Sequence, residues 1–129
     1  MHDQNLAILK GLVCVAWADG NVTAAENELI EALIQAFGAT PSEALEVRAF
    51  AATQRSLADI PINDLSYNDR RVLLNHAVVL TFVDGEQHER EKELVVQLCD
   101  VLRIPSLEAK GLVEAAEQQA QKLLPLLKT

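Results

Sequence analysis

The sequence has few aromatic residues and no long apolar run. Only five of its 129 residues are Phe, Tyr or Trp, although half of all residues are hydrophobic. Because helices favour Ala and Leu, whereas strands favour aromatic and β-branched residues, this composition indicates an all-α protein. No apolar run approaches the roughly 20 residues of a membrane-spanning helix, and no basic start leads into an apolar signal segment. We therefore expect no membrane insertion.

Cysteine and positive charge are also scarce. Cys14 and Cys99 lack the Cys-x-x-Cys spacing of metal and redox motifs. They are predicted to be buried free thiols of a cytoplasmic protein, with a bond between them left open. The formal net charge is −8. Since nucleic-acid affinity depends largely on Lys and Arg, this charge argues against a nucleic-acid partner and leaves a cation, a basic protein patch or solubility alone.

Apolar residues recur at spacings of three and four almost throughout the chain. This periodicity predicts a compact bundle of about seven helices. No flexible linker interrupts residues 1–129, so we expect a single domain. The helices are predicted at about 3–18, 23–37, 40–55, 66–82, 88–102 and 106–124, with a short helical turn near 57–60 and the last helix limited by Pro125.

An Asp-Gly-x5-Glu segment occurs twice. Asp19-Gly20 is followed by Glu26, and Asp84-Gly85 is followed by Glu91, at a constant offset (84 − 19 = 65 and 91 − 26 = 65). In each copy the glycine permits a tight turn between two predicted helices, and the glutamate lies in the first turn of the second helix.

The self-similarity extends beyond the motif. Residues 19–44 and 84–109 share eight identical positions without a gap. Such a match predicts an internal repeat covering about 6–51 and 71–116, with two helix-loop-helix halves.

The motif has the spacing of the second half of an EF-hand calcium loop. A complete EF-hand is excluded, because the first and third ligand positions of the first copy would be Val15 and Trp17. Two half-loops that met in space would supply four carboxylates toward the six to eight oxygens that Ca²⁺ prefers, and Mg²⁺ would need fewer. Zn²⁺ is less favoured, because only His88 lies near.

The glutamates also have a purely structural interpretation. Thr23-Ala24-Ala25-Glu26 has the pattern of a capping box, and Asp-Gly is a common turn pair. In the second copy the poorer cap His88 replaces Thr23, yet Glu91 remains, which capping explains less easily. Metal binding and helix–turn architecture alone therefore both stay open.

The segment Ala18-Asp19-Gly20…Glu26 and its repeat Val83-Asp84-Gly85…Glu91 resemble the TerB-like family, named for bacterial tellurite resistance. The resemblance runs from about Leu6 to about Leu112. It implies a compact helical fold with pseudo-twofold repeats, a cytoplasmic bacterial setting and an acidic metal site at these Asp and Glu positions. Related domains occur alone and fused to other modules, including J-domain co-chaperones.

Catalysis has little support in the sequence. Gly-rich phosphate loops, nucleophile elbows and suggestive Cys–His pairs are missing, and a metal-assisted hydrolase is the least favoured interpretation. The leading hypothesis is a non-enzymatic domain for stress response or tellurite resistance, in which a divalent cation, Ca²⁺ or Mg²⁺, is bound by Asp19, Glu26, Asp84 and Glu91. The alternative is a metal-free interaction or co-chaperone-like module whose acidic loops meet a basic protein partner. The leucine-rich end of the last helix packs either on the core or on another subunit, which leaves a homodimer open.

Overall fold

The protein is all-α over the residues that the structure describes. A computed structural model describes the backbone of residues 3–18, 22–81 and 89–127, and the side chains of 5–18, 22–81 and 92–122. Within these ranges there are six α-helices, where about seven helices were predicted, and there is no strand. The helices are α1 (Asp3–Trp17), α2 (Ala24–Ala36), α3 (Pro41–Ala51), α4 (Tyr67–Thr81), α5 (Glu89–Val101) and α6 (Ser106–Leu127), with 3₁₀ turns at Leu57–Asp59 and Ile62–Asp64.

Helices α2, α3 and α4 begin with reciprocal caps that the sequence predicts. The Glu26 amide donates to the Thr23 hydroxyl at 3.1 Å, and Glu26 Oε1 accepts the Thr23 amide at 3.0 Å. Thr40 and Glu43 make the same pair of bonds at the start of α3. At α4, Ser66 pairs in the same way with an aspartate three residues later. Each pair satisfies two backbone groups that have no partner within the helix.

Helix α3 ends at Ala51, four residues earlier than predicted. Two side chains outside the helix bind its last carbonyls. The Trp17 indole N–H donates to the Ala51 carbonyl at 2.8 Å, and Arg55 Nε donates to the Phe50 carbonyl at 2.9 Å. The Arg55 guanidinium also lies 3.9 Å from the centre of the Phe50 ring. These bonds satisfy two carbonyls at the helix end that have no partner within the helix.

The last helix is longer than predicted. Helix α6 continues past Pro125 to Leu127. A proline this close to the end removes one hydrogen-bond donor, and the helix continues for two more residues. None of the helices in the described ranges is both long enough and apolar enough to cross a bilayer.

Helix α1 lies at the centre of the bundle. It packs against α2, α3 and α4, and α4 packs in addition against α5 and α6. Leu9, Leu12 and Val13 of α1 are fully buried. Helices α1 and α4 approach each other closely at Gly11. A Cβ atom there would lie 2.6 Å from Cδ2 of Leu73.

The C-terminal ends of α2 and α5 have the same backbone geometry. Gly38 has a φ angle of 72°, and the N–H of Ala39 donates to the carbonyl five residues earlier at 3.2 Å. Arg103, at the same offset as the acidic motifs (103 − 38 = 65), has a φ angle of 58°, and the N–H of Ile104 makes the same bond at 3.2 Å. Both helices therefore end with a left-handed residue, which is glycine in one place and arginine in the other.

Replacing Arg103 with Gly is expected to raise the free energy of unfolding by about 0.5–1 kcal/mol. The left-handed conformation costs a residue with a Cβ atom roughly 1–2 kcal/mol, and the extra entropy that Gly loses on folding offsets about 0.5–1 kcal/mol of that gain. Urea denaturation followed by circular dichroism measures the difference. The reverse change, Gly38→Arg, is the control and should destabilise the protein. Loss of stability in Arg103→Gly would contradict this account of the α5 end.

Candidate acidic site

The four predicted metal ligands are described to different extents. Asp19 and Asp84 lie outside the described residues. Glu91 lies in the first turn of α5, but its side chain is not among those described. Only Glu26 has a described carboxylate. Among the described residues, no group of three or more His, Cys, Asp or Glu side chains could hold a metal ion. The meeting of the four carboxylates therefore stays a prediction.

Glu26 acts as a capping residue. Its Oε1 atom accepts the Thr23 amide at 3.0 Å, as the structural interpretation of the motif expects. An ionised carboxylate has two oxygens with about four acceptor sites in total. A capping bond and a bond to a cation are therefore compatible in the same side chain, and the cap does not decide between the two interpretations.

A cavity of about 540 Å³ lies between the end of α1, the chain after α3 and the first half of α5. Ala18, which directly precedes Asp19 in the sequence, contributes to one wall. Glu93, two residues after Glu91, contributes to another wall. Residues close in sequence to both predicted half-sites therefore line the same cavity. Its lining residues are Trp17, Ala18, Gln54, Arg55, Ser56, Leu57, Ala58, Glu93, Leu94 and Gln97.

The charges on the described walls of this cavity are mixed. Arg55 is held in place by the Phe50 carbonyl and the Phe50 ring, so its guanidinium is a fixed positive charge. Glu93 supplies a carboxylate from α5. The Arg55 charge would repel a bound cation. A cation at this cavity would therefore depend on acidic groups beyond the described walls.

The described thiols and His76 lie in environments typical of core groups. Both cysteines are free, as predicted, although Cys99 is only half-buried. Burial, with the charge of Asp59 adding to it, raises the pKa of the Cys14 thiol to about 12. Burial and Asp100 also raise the pKa of Cys99, and burial lowers the pKa of His76. Thiolate nucleophiles need the opposite shift, so neither cysteine is activated.

These features define an all-α domain with Asp-Gly-x5-Glu sequences after its first and fourth helices. The chain belongs to the TerB family, because the family model for tellurite resistance protein TerB matches residues 5–115. No curated protein and no solved structure shows a significant match to the chain.

Proposed function

We propose that this protein is a non-enzymatic, cytoplasmic TerB domain of the bacterial stress response, associated with tellurite resistance, that binds a divalent cation. Asp19, Glu26, Asp84 and Glu91 would be the ligands. Carboxylates favour hard cations such as Ca²⁺ and Mg²⁺, and carbonyls or waters would complete the coordination shell. The cation would join the two acidic loops and neutralise part of the net charge of −8.

The observation that carries this proposal is the cavity shared by the two halves. Ala18, which directly follows α1, and Glu93 of α5 both border it. Each is within two residues of a proposed ligand in the sequence. The end of α1 and the first half of α5 therefore border the same cavity, as a shared ion requires, whereas loops on opposite faces of the bundle could not share one ion.

We also propose that the two halves are an internal repeat related by a pseudo-twofold axis. The bounds of α2, Ala24–Ala36, and those of α5, Glu89–Val101, differ by the same offset at both ends (89 − 24 = 65 and 101 − 36 = 65). This offset also relates the left-handed residues Gly38 and Arg103. It equals the offset of the two acidic motifs, which supports a site built from equivalent elements of both halves.

The cation proposal predicts saturable binding when chelator-treated protein is titrated with Ca²⁺, Mg²⁺ or Zn²⁺ by calorimetry. Trp17 emission should change in parallel, because this side chain borders the cavity. In the Asp19→Asn/Asp84→Asn double variant we expect no binding with the fold retained. Affinities of micromolar to low millimolar fall within the range of oxygen-ligand sites.

Substitutions at Glu26 and at Glu43, compared with each other, distinguish a metal ligand from a capping residue. Both occupy the third position of a capping box with threonine, and glutamine can make the same box. Glu26→Gln should weaken cation binding by at least about tenfold, which is the lower end of the loss in metal affinity when an outer-shell partner is removed. Glu43→Gln should leave the titration unchanged. If both variants titrate equally and the double Asn variant still binds the cation fully, the cation proposal is wrong and the acidic loops are turns and caps.

A second function rests on the net charge of −8. The acidic loops would form a charged surface for a basic protein partner, with no metal bound. Such an interaction weakens with salt because exposed charges are screened. A flat titration with all three cations, together with lysine-rich peptide binding that is lost at high salt, would select this metal-free interaction module.

A further inference from the structure

Arg55 carries a positive charge that has no anionic partner among the described residues. Its Nε atom donates to the Phe50 carbonyl at 2.9 Å, and its guanidinium lies 3.9 Å from the centre of the Phe50 ring. Neither of its two terminal nitrogens donates a hydrogen bond to a described residue. The side chain is nevertheless partly buried. The guanidinium is therefore held in place with half of its hydrogen-bonding capacity unused.

The two other partly buried arginines in the described ranges use their terminal nitrogens. Both terminal nitrogens of Arg70 donate to backbone carbonyls, at 3.5 and 3.3 Å. Arg71 forms an ion pair with Glu108. Only the Nε atoms of these two arginines have no partner. Because a charged group that is removed from water normally finds a partner, the unused terminal nitrogens of Arg55 indicate a place for a ligand.

Further hydrogen-bond donors border the same cavity as Arg55. Gln54, from the chain after α3, and Gln97, from α5, are exposed residues of its wall, and each side-chain amide has two N–H donors. The backbone N–H groups of Gln54 and Arg55 lie outside the helices and donate to no described residue. The cavity volume of about 540 Å³ is typical of small-molecule sites. Two separate elements therefore supply unused donors to one cavity.

From these donors we infer that the cavity binds a small oxyanion at Arg55. A guanidinium presents N–H groups in a planar fork that matches the oxygens of carboxylate, phosphate or sulfate groups. The terminal nitrogens of Arg55 would bind such oxygens, and the amides of Gln54 and Gln97 would donate to the remaining ones. Because the Phe50 carbonyl and ring already hold the guanidinium, little side-chain freedom is lost when the anion binds.

The acidic residues near Arg55 oppose the anion only weakly. Glu93 borders the cavity from α5, and Asp59 accepts the Ser56 amide at 2.9 Å, but neither forms an ion pair with Arg55. A unit charge about 10 Å away in water changes the affinity for a singly charged anion by roughly twofold. A single hydrogen bond to a charged group contributes roughly tenfold or more. Direct bonds to Arg55 therefore outweigh repulsion from Glu93.

Titration of the full chain with sodium sulfate, followed by the NMR signals of its amides, tests the oxyanion site. Chelator is present, and chloride keeps the ionic strength constant. We expect saturable millimolar shifts at Gln54, Arg55 and Gln97, weakened by roughly tenfold or more in Arg55→Gln. Arg48→Gln is the matched control, because Arg48 pairs with Glu31 on α2 and does not border this cavity. A parallel titration with acetate distinguishes a carboxylate site from a site for tetrahedral oxyanions.

A substitution with the opposite effect gives the sharper test. Glu93→Gln should strengthen sulfate binding by roughly fourfold, because sulfate carries two charges. Glu114→Gln, on α6 and outside this cavity, should change nothing. Circular dichroism confirms that each variant is folded.

The inference is overturned if neither anion gives saturable shifts at these amides, if Arg55→Gln binds as well as the unmodified chain, or if Glu93→Gln binds more weakly. Since chelator is present throughout, this outcome does not depend on the proposed cation. A failed cation titration would contradict the proposed function alone.

Discussion

Replacing Leu73 with Ala is expected to lower the free energy of unfolding by about 3–5 kcal/mol, toward the upper end for buried leucines. Leu73 is fully buried on α4 and lies against α1 at the residue where that helix has no side chain. Truncation removes apolar contacts from the centre of the bundle, and both helices are held from other sides, which limits collapse into the cavity. Chemical denaturation, with the slope checked against the unmodified protein, measures the loss.

At the same contact, a second substitution should change stability in opposite directions depending on whether Leu73 is present. In the unmodified protein Gly11→Ala should destabilise by about 1 kcal/mol, because its methyl group would lie 2.6 Å from Leu73 Cδ2 and overpacking outweighs the better helix propensity. In the Leu73→Ala background the obstacle is removed, and Gly11→Ala should then stabilise by about 1 kcal/mol. The two substitutions should therefore be strongly coupled in a double-mutant cycle.

Leu74 provides the matched control for this cycle. It is also fully buried on α4, but its atoms are not among those nearest to a Cβ at Gly11. Leu74→Ala should destabilise by a comparable amount without reversing the effect of Gly11→Ala. If Gly11→Ala has the same effect in all three backgrounds, the close approach of α1 and α4 at Gly11 is not what makes glycine necessary there.

Replacing Trp17 with Ala is expected to cost about 3 kcal/mol, the lower end for large aromatic residues because the ring is only partly buried. Two contributions are lost. The ring packs against the core from the end of α1, and the indole N–H satisfies the Ala51 carbonyl at the end of α3. Thermal denaturation followed by circular dichroism is the measurement, since the variant has no tryptophan to follow by fluorescence.

Trp17→Phe separates the two contributions. It retains an aromatic ring but loses the donor, so it should cost about 1 kcal/mol, the usual net value of one hydrogen bond. The remaining loss in Trp17→Ala then measures packing. If the two variants are equally destabilised, the bond to Ala51 carries the effect; if Trp17→Ala costs less than Trp17→Phe, the packing account is wrong.

The starts of three helices were predictable from sequence, whereas the end of α3 was not. The starts of α2, α3 and α4 follow from capping residues three positions apart, a signal contained in four consecutive residues. The end of α3 depends on Trp17, which is 34 residues from the carbonyl that it binds. Local patterns carry no information about such a distant donor. The prediction therefore extended α3 to Arg55, the residue that instead folds back onto Phe50.

The candidate sites, too, were only partly predictable from local sequence patterns. Self-similarity identified the acidic motifs, but sequence spacing could not show whether they meet, and it gave no sign of the cavity between α1 and α5. The bidentate ion pair between Arg48 of α3 and Glu31 of α2 was also missed, because its partners lie 17 residues apart on different helices. The sequence did contain a signal that the second half lacks this ion pair. Aligning the two halves at their common offset shows both members of that pair replaced by valine, at Val96 and Val113.

The central position of α1 has a consequence for synthesis on the ribosome. Helix α1 begins at Asp3, and α4, against which it packs, begins only at Tyr67 (67 − 3 = 64). At about 5–20 residues per second, the ribosome needs roughly 3–13 s to make the intervening chain. Throughout that interval the face of α1 that includes Gly11 has no partner from the second half. This apolar face of α1 is therefore uncovered on the nascent chain, and chaperones that recognise apolar helices have seconds in which to bind it.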